Sequence, residues 1–162
     1  MNDEHDDFNL DDAIYVGSFY VDGCDNYDEY YDECLHERVG FFKDKKGNRI
    51  DIYIKEFSGN EPHIHLRNHL NNVCRIKLRK NEYQRDANEK DGNPKYRLSK
   101  SEEEMFSIYM HSKADDYDFD NWTKISRHWN EHWRSANPGK SSGVVDTSKG
   151  CPDYINIKEP KQ

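Results

Sequence analysis

The sequence predicts an α+β domain: a small, mostly antiparallel sheet of about four strands, covered on one face by two α-helices. Three observations carry this reading. Short runs between residues 39 and 79 alternate apolar and polar side chains with the period of a half-buried strand. Two later stretches place apolar residues at helical spacing behind capping residues. The composition is lean, with 33% hydrophobic and 35% charged residues, yet 13% are aromatic, so rings supply much of the buried area and part of the chain is solvated.

Residues 1–38 read as an acidic, tyrosine-rich arm. They hold 13 Asp/Glu against Arg38 alone, a net charge of −12. Ile14 to Val21 has strand character within it, whereas Asp22 to Glu33 is too charged for a core. The plain reading is a solubilising extension; the sharper ones are an imitation of nucleic acid or a cover for the chain's own basic face. Residues 39–135 form the predicted core domain. Val39 to Lys43 and Arg49 to Lys55 read as two strands around a turn, where Gly47 and Asn48 suit positive φ. Ile50, Ile52 and Ile54 then face the core.

The third strand is the most informative stretch. Pro62 suits a strand's first position, where no ladder donor is needed. Alternation then puts His63, His65 and Arg67 on one face and Ile64 and Leu66 on the other. A short loop, 68–72, leads to Val73–Arg79, whose polar face carries Arg75, Lys77 and Arg79. Paired as a hairpin, the two strands gather His63, His65, Arg67, Arg75, Lys77 and Arg79 into an anion-attracting surface. The wider segment 67–100 holds ten Lys/Arg against four Asp/Glu, a net of +6, although the whole chain is −8. That negative total argues against general nucleic-acid binding.

Residues 80–98 read as a polar loop. Ser99 with Glu102, or Ser101 with Glu104, opens a helix over about 100–113 through Met105, Ile108 and Tyr109. Trp122, Ile125, Trp129 and Trp133 make one apolar stripe on a second helix, about 119–134, ended by Asn137-Pro138-Gly139. Residues 136–162 read as a flexible tail in which Tyr154–Ile157 has edge-strand character.

Several motifs compete for a chemical role. His128-Trp129-Asn130-Glu131-His132 matches H-x-x-E-H, a metallopeptidase helix, but the chain downstream offers only Asp146, Asp153 and Glu159 as a further ligand. His63 and His65 are spaced for two ligands of one metal, with His128 or His132 as weak candidates to complete a site. The plainer reading keeps these histidines hydrogen-bonded or solvent-facing, with no metal and no cofactor. His63-Ile64-His65-Leu66-Arg67 departs from the histidine triad because Arg67 stands at the third His position. Gly139-Lys140-Ser141 lacks the earlier glycine of a phosphate-binding loop, since position 134 is Arg. Cys24, Cys34, Cys74 and Cys151 form no C-x-x-C pair, and no signal peptide or apolar run of membrane length is present. A reducing cytoplasm is the expected setting, and no membrane is expected as a partner.

Ile50-Asp51-Ile52-Tyr53-Ile54, Glu61-Pro62-His63-Ile64-His65-Leu66, Cys74-Arg75-Ile76-Lys77-Leu78 and Trp129-Asn130-Glu131-His132-Trp133 together resemble a small bacterial domain family of unknown function. Its mark is a P-P-H-x-H-v strand, and it is often encoded beside small partner proteins in toxin–antitoxin-like pairs. The likeness covers about residues 39–135; this chain differs in its single proline before His63, its long loop 80–98 and both extensions. The resemblance and the charge asymmetry together imply a non-enzymatic macromolecule-binding protein of a bacterial or phage defence or toxin–antitoxin-type system. A protein is its expected partner, with nucleic acid as a further one through the cationic face. Two alternatives stand beside it. One is a small metal-independent RNase-like toxin with His63 or His65 as general acid/base; the other is an acidic nucleic-acid mimic acting through residues 1–38.

Overall fold

The computed structural model describes residues 10–21 and 49–161. The strand expected at 39–43, its turn, and the acidic residues 1–9 and 22–38 lie outside them. Four strands form one antiparallel sheet in the order β1 (Ile14–Tyr20), β2 (Arg49–Ile54), β3 (His63–Arg67) and β4 (Val73–Lys77). Two helices follow, α1 (Lys100–His111) and α2 (Asn121–Ala136), completing an α+β fold. The strand foreseen within the acidic segment is therefore part of the sheet: Phe19 pairs with Ile50 and Tyr15 with Tyr53, across a bulge between Tyr15 and Gly17. The fold begins inside the stretch expected as an arm, because Val16 and Phe19 provide apolar side chains that the sheet buries.

The register keeps the expected faces. Ile64 pairs with Ile76 and Leu66 with Cys74, while His65 lies between Tyr53 and Arg75. The β3–β4 loop is tied by Asn68, whose Oδ1 accepts the Leu70 and Asn72 amides, and Asn71 takes φ 65°. Ser99 and Glu102 form the capping box of α1, and Asp120 caps α2 by accepting from the Thr123 amide. All four residues of the Trp/Ile stripe on α2 are at most 1% exposed. On α1 the fully buried residues are Met105, Phe106 and Met110, while the expected Ile108 and Tyr109 are only partly covered. Tyr109 instead reaches over β1, where Gly17 leaves space: a Cβ there would lie 2.1 Å from the Tyr109 hydroxyl.

The tail is not free. Val145, Tyr154 and Ile157 are buried, and Lys158 bridges to Glu82 in parallel. Trp129 Nε1 donates to the Gly143 carbonyl at 2.7 Å, and Asn130 makes two bonds to the Val145 backbone. The segment expected as a flexible tail is thus packed on the core, through three scattered apolar side chains and through main-chain groups, neither of which leaves a hydrophobic periodicity. The loop 80–98 is anchored likewise: Tyr83 bridges to Ile76 and its hydroxyl accepts from the Leu98 amide. No helix among the described residues is long and apolar enough to cross a membrane.

Candidate metal centre

The polar face of β3 is buried at its His63–His65 end. His63 is 5% exposed and His65 fully buried, so both faces of β3 are covered at this end. The cover is the β2–β3 loop. Its first residue beyond Lys55, Glu56, takes φ 67°, a left-handed conformation that a non-glycine residue seldom adopts. That turn brings the Glu56 carboxylate over the two imidazoles. The loop is then pinned from α2 and the tail: Trp133 Nε1 donates to the Gly59 carbonyl, Asn137 Nδ2 to the Phe57 carbonyl, and Ser142 Oγ to Asn60 Oδ1. Phe57 packs on Trp129, whose ring centroid lies 5.4 Å from that of His63.

Three nitrogens converge on one oxygen. Glu56 Oε1 lies 3.2 Å from His63 Nε2, 3.3 Å from His65 Nε2 and 3.5 Å from Arg75 Nε. His63 Nδ1 is 2.9 Å from the Glu61 carbonyl, which can only accept, so Nδ1 carries a proton. A neutral imidazole so oriented turns its Nε2 lone pair towards an ionised carboxylate. That approach is favourable only with a proton or a metal cation between the two groups. Burial pushes the His65 pKa down to about 4, with Glu56 opposing the shift, which favours the neutral ring. Glu56 is held far below the usual carboxylate range by hydrogen bonds to His63 and His65, a shift that requires a proton or a cation at their Nε2 atoms, with Arg75 adding to it, against the cost of partial burial. Both shifts favour the protonation states that metal ligands need.

Two of the three donor separations suit a small cation. Ligands at 2.0–2.1 Å around a tetrahedral ion are separated by about 3.3 Å, close to the two His–Glu distances, and a bound ion would draw the two histidine nitrogens, which lie within 4.8 Å, together. Glu56, His63 and His65 are the one cluster of such donors among the described residues, each offering an atom within 4.8 Å of the others. The Glu61 carbonyl supplies the outer contact that orients a ligating histidine. Glu56 is the accessible ligand, its side chain 43% exposed, so a fourth position would open on its side.

The other residues singled out in the sequence fall elsewhere. His132 stacks on Phe57 at 5.5 Å, and His128 lines a separate cleft near β1; neither joins Glu56. The cations expected on the polar face lie there, yet each is engaged. Arg67 donates to Asn71, Arg75 pairs with Glu56 and Asp86, Lys77 pairs with Glu82, and Arg79 donates to the Ser142 and Val144 carbonyls. With both imidazoles beneath Glu56, a direct acid–base role for them requires that carboxylate to move aside. Cys151 Sγ, His111 and Asp153 fall in a row at 3.9 and 4.0 Å, but His111 Nδ1 lies 2.8 Å from the Ser107 carbonyl and burial pushes the Cys151 thiol up. That row lacks an activated nucleophile. Cys74, buried on the core face, is likewise inert.

No family description, curated protein or solved structure matches this chain. The likeness to the P-P-H-x-H-v family therefore rests on its own residues alone.

Proposed function

We propose that this chain is a divalent-metal-binding domain whose centre is Glu56, His63 and His65, with one coordination position kept for water or for a donor of a partner molecule. The observation that carries the reading is the approach of both Nε2 atoms to one carboxylate oxygen, with the proton of His63 already committed to Nδ1. Two imidazoles and a carboxylate suit a first-row ion such as Zn²⁺. The test is titration of the EDTA-treated chain with Co²⁺, read by its visible spectrum, and with Zn²⁺ by calorimetry. One ion per chain is expected, with affinity at least about tenfold weaker in Glu56→Gln and His63→Ala, both of which spare the buried His65. Absence of binding, or binding unchanged in both variants, overturns the reading.

A second reading, engagement of a charged macromolecule in a bacterial or phage defence or toxin–antitoxin-type system, is supported by the charge asymmetry and by the P-H-x-H strand. It includes a protein partner, a cytoplasmic setting, and nucleic-acid mimicry by the acidic segment. Because β1 lies inside residues 1–38, deleting that segment would remove a strand. The sound perturbation neutralises Asp25, Asp28, Glu29, Asp32 and Glu33 to their amides. Low-salt capture from the native host should lose its partner in that variant. Capture of the same molecules by both forms, or of none by either, refutes the role given to the acids.

A further inference from the structure

Away from the histidine–glutamate cluster, β1, α1 and α2 enclose a cleft of about 510 Å³. Its walls carry the hydroxyls of Tyr15, Ser18 and Tyr109 and three basic side chains, Lys113, Lys124 and His128. Lys124 and His128 are four residues apart on α2 and so share one helix face. Lys113 is brought to the same place by its bridge to Asp120, the residue that caps α2. Neither lysine forms an ion pair among the described residues. Asp115 is the acid on this wall.

Lys124 and His128 also line a second, adjoining cleft of about 200 Å³. Its character is different. Tyr117 stacks on Phe119 at 4.8 Å, and the Arg127 guanidinium lies 4.4 Å from the Phe119 ring centre. Tyr117 is 44% exposed, so it presents aromatic surface next to the cationic wall. Glu131 is the acid here, leaving Lys113, Lys124 and Arg127 in excess over Asp115 and Glu131.

We propose that the two clefts form one binding site for a small anionic ligand with an aromatic ring, of the mononucleotide class. Phosphate oxygens are held by Lys113 and Lys124 with the hydroxyls around them, and the base stacks on Tyr117. The combined space falls within the range of small-molecule sites, and stacking on an exposed aromatic beside a guanidinium is the usual way a base is held without sequence readout. The β-bulge at Tyr15/Gly17 lies among the residues that line the cleft.

The experiment is calorimetric titration, in EDTA, with AMP, inorganic phosphate and adenosine. AMP should bind more tightly than either of the others. Lys124→Gln should weaken AMP and phosphate alike, by about tenfold for a lost charged contact. Tyr117→Ala should weaken AMP and leave phosphate unchanged. Glu56→Gln should bind AMP as the wild type does, which separates this site from the metal centre. No binding of AMP at millimolar concentration, equal binding of AMP and adenosine, or wild-type binding by both Lys124→Gln and Tyr117→Ala overturns the proposal.

Discussion

Asn130 is the residue through which α2 holds the C-terminal segment, and its loss has a calculable effect. Its Nδ2 donates to the Val145 carbonyl at 2.9 Å and its Oδ1 accepts from the Val145 amide at 2.7 Å. Both residues are buried, Asn130 at 7% and Val145 at 4% exposure. Asn130→Ala removes two hydrogen bonds, each with a net value of about 1 kcal/mol, and strands a buried N–H and C=O that each carry a penalty of about 1–3 kcal/mol. Local opening admits water and relieves part of this, so a destabilisation of about 3 kcal/mol is expected. Urea unfolding measures it, and limited proteolysis after Lys140 and Lys149 reports whether the segment loosens first. A change below about 0.5 kcal/mol, or cleavage no faster than in the wild type, would show that Asn130 does not dock this segment.

Two further perturbations test the sheet and the histidine cluster. Gly17→Ala drives a methyl against the Tyr109 hydroxyl and should destabilise by about 1–3 kcal/mol; adding Tyr109→Phe leaves Cζ at 3.1 Å, still a tight contact, as the nearest atom and should recover part of it, and no recovery in urea unfolding would refute the contact. In the metal-free chain, stability should fall by about 3 kcal/mol as pH drops from 6.5 to 4, because His65 has its pKa pushed down to about 4 and the unfolded chain takes up the extra proton in that window. A urea midpoint constant over this interval would refute the His65 assignment; Glu56, whose folded pKa is depressed, acts in the same direction at lower pH, below the ordinary carboxylate range.

The parts of the fold legible in the sequence are those whose burial is periodic. Ile50, Ile52 and Ile54, then Ile64 and Leu66, then Cys74, Ile76 and Leu78 alternate because one face of each strand meets the helices, and the Trp/Ile stripe of α2 repeats for the same reason. Ser99 and Glu102 announced α1 through capping chemistry. The docked segment 139–161 escaped because its contacts are of another kind. Trp129 bonds to the carbonyl of Gly143, and Gly143 lies so close under Trp133 that a Cβ would come within 2.2 Å of its ring. A glycine chosen for closeness and an asparagine chosen for two backbone bonds both look like loop residues when read by hydropathy.

The candidate site divides along the same line. His63 and His65 were found by strand alternation, but alternation alone made their face a solvent-exposed cationic one. What encloses it is Glu56, a single loop residue with positive φ. A signal for it was present. The register sets Tyr53 opposite His65, so position 55 falls opposite His63 and the next residue leaves the sheet over both rings. A glutamate seven residues before an H-x-H strand, in the loop of the same hairpin, is therefore placed to complete a three-donor set without any distant part of the chain. His128 and His132, chosen for their spacing on a helix, needed the whole tertiary fold to reach the strand, and the helix turns one toward the β1 cleft and stacks the other on Phe57. Local connectivity was the better guide to the third ligand than residue type. The same reasoning makes Glu56 the residue to change first: the hairpin presents it to solvent, so its replacement tests the centre without opening the core.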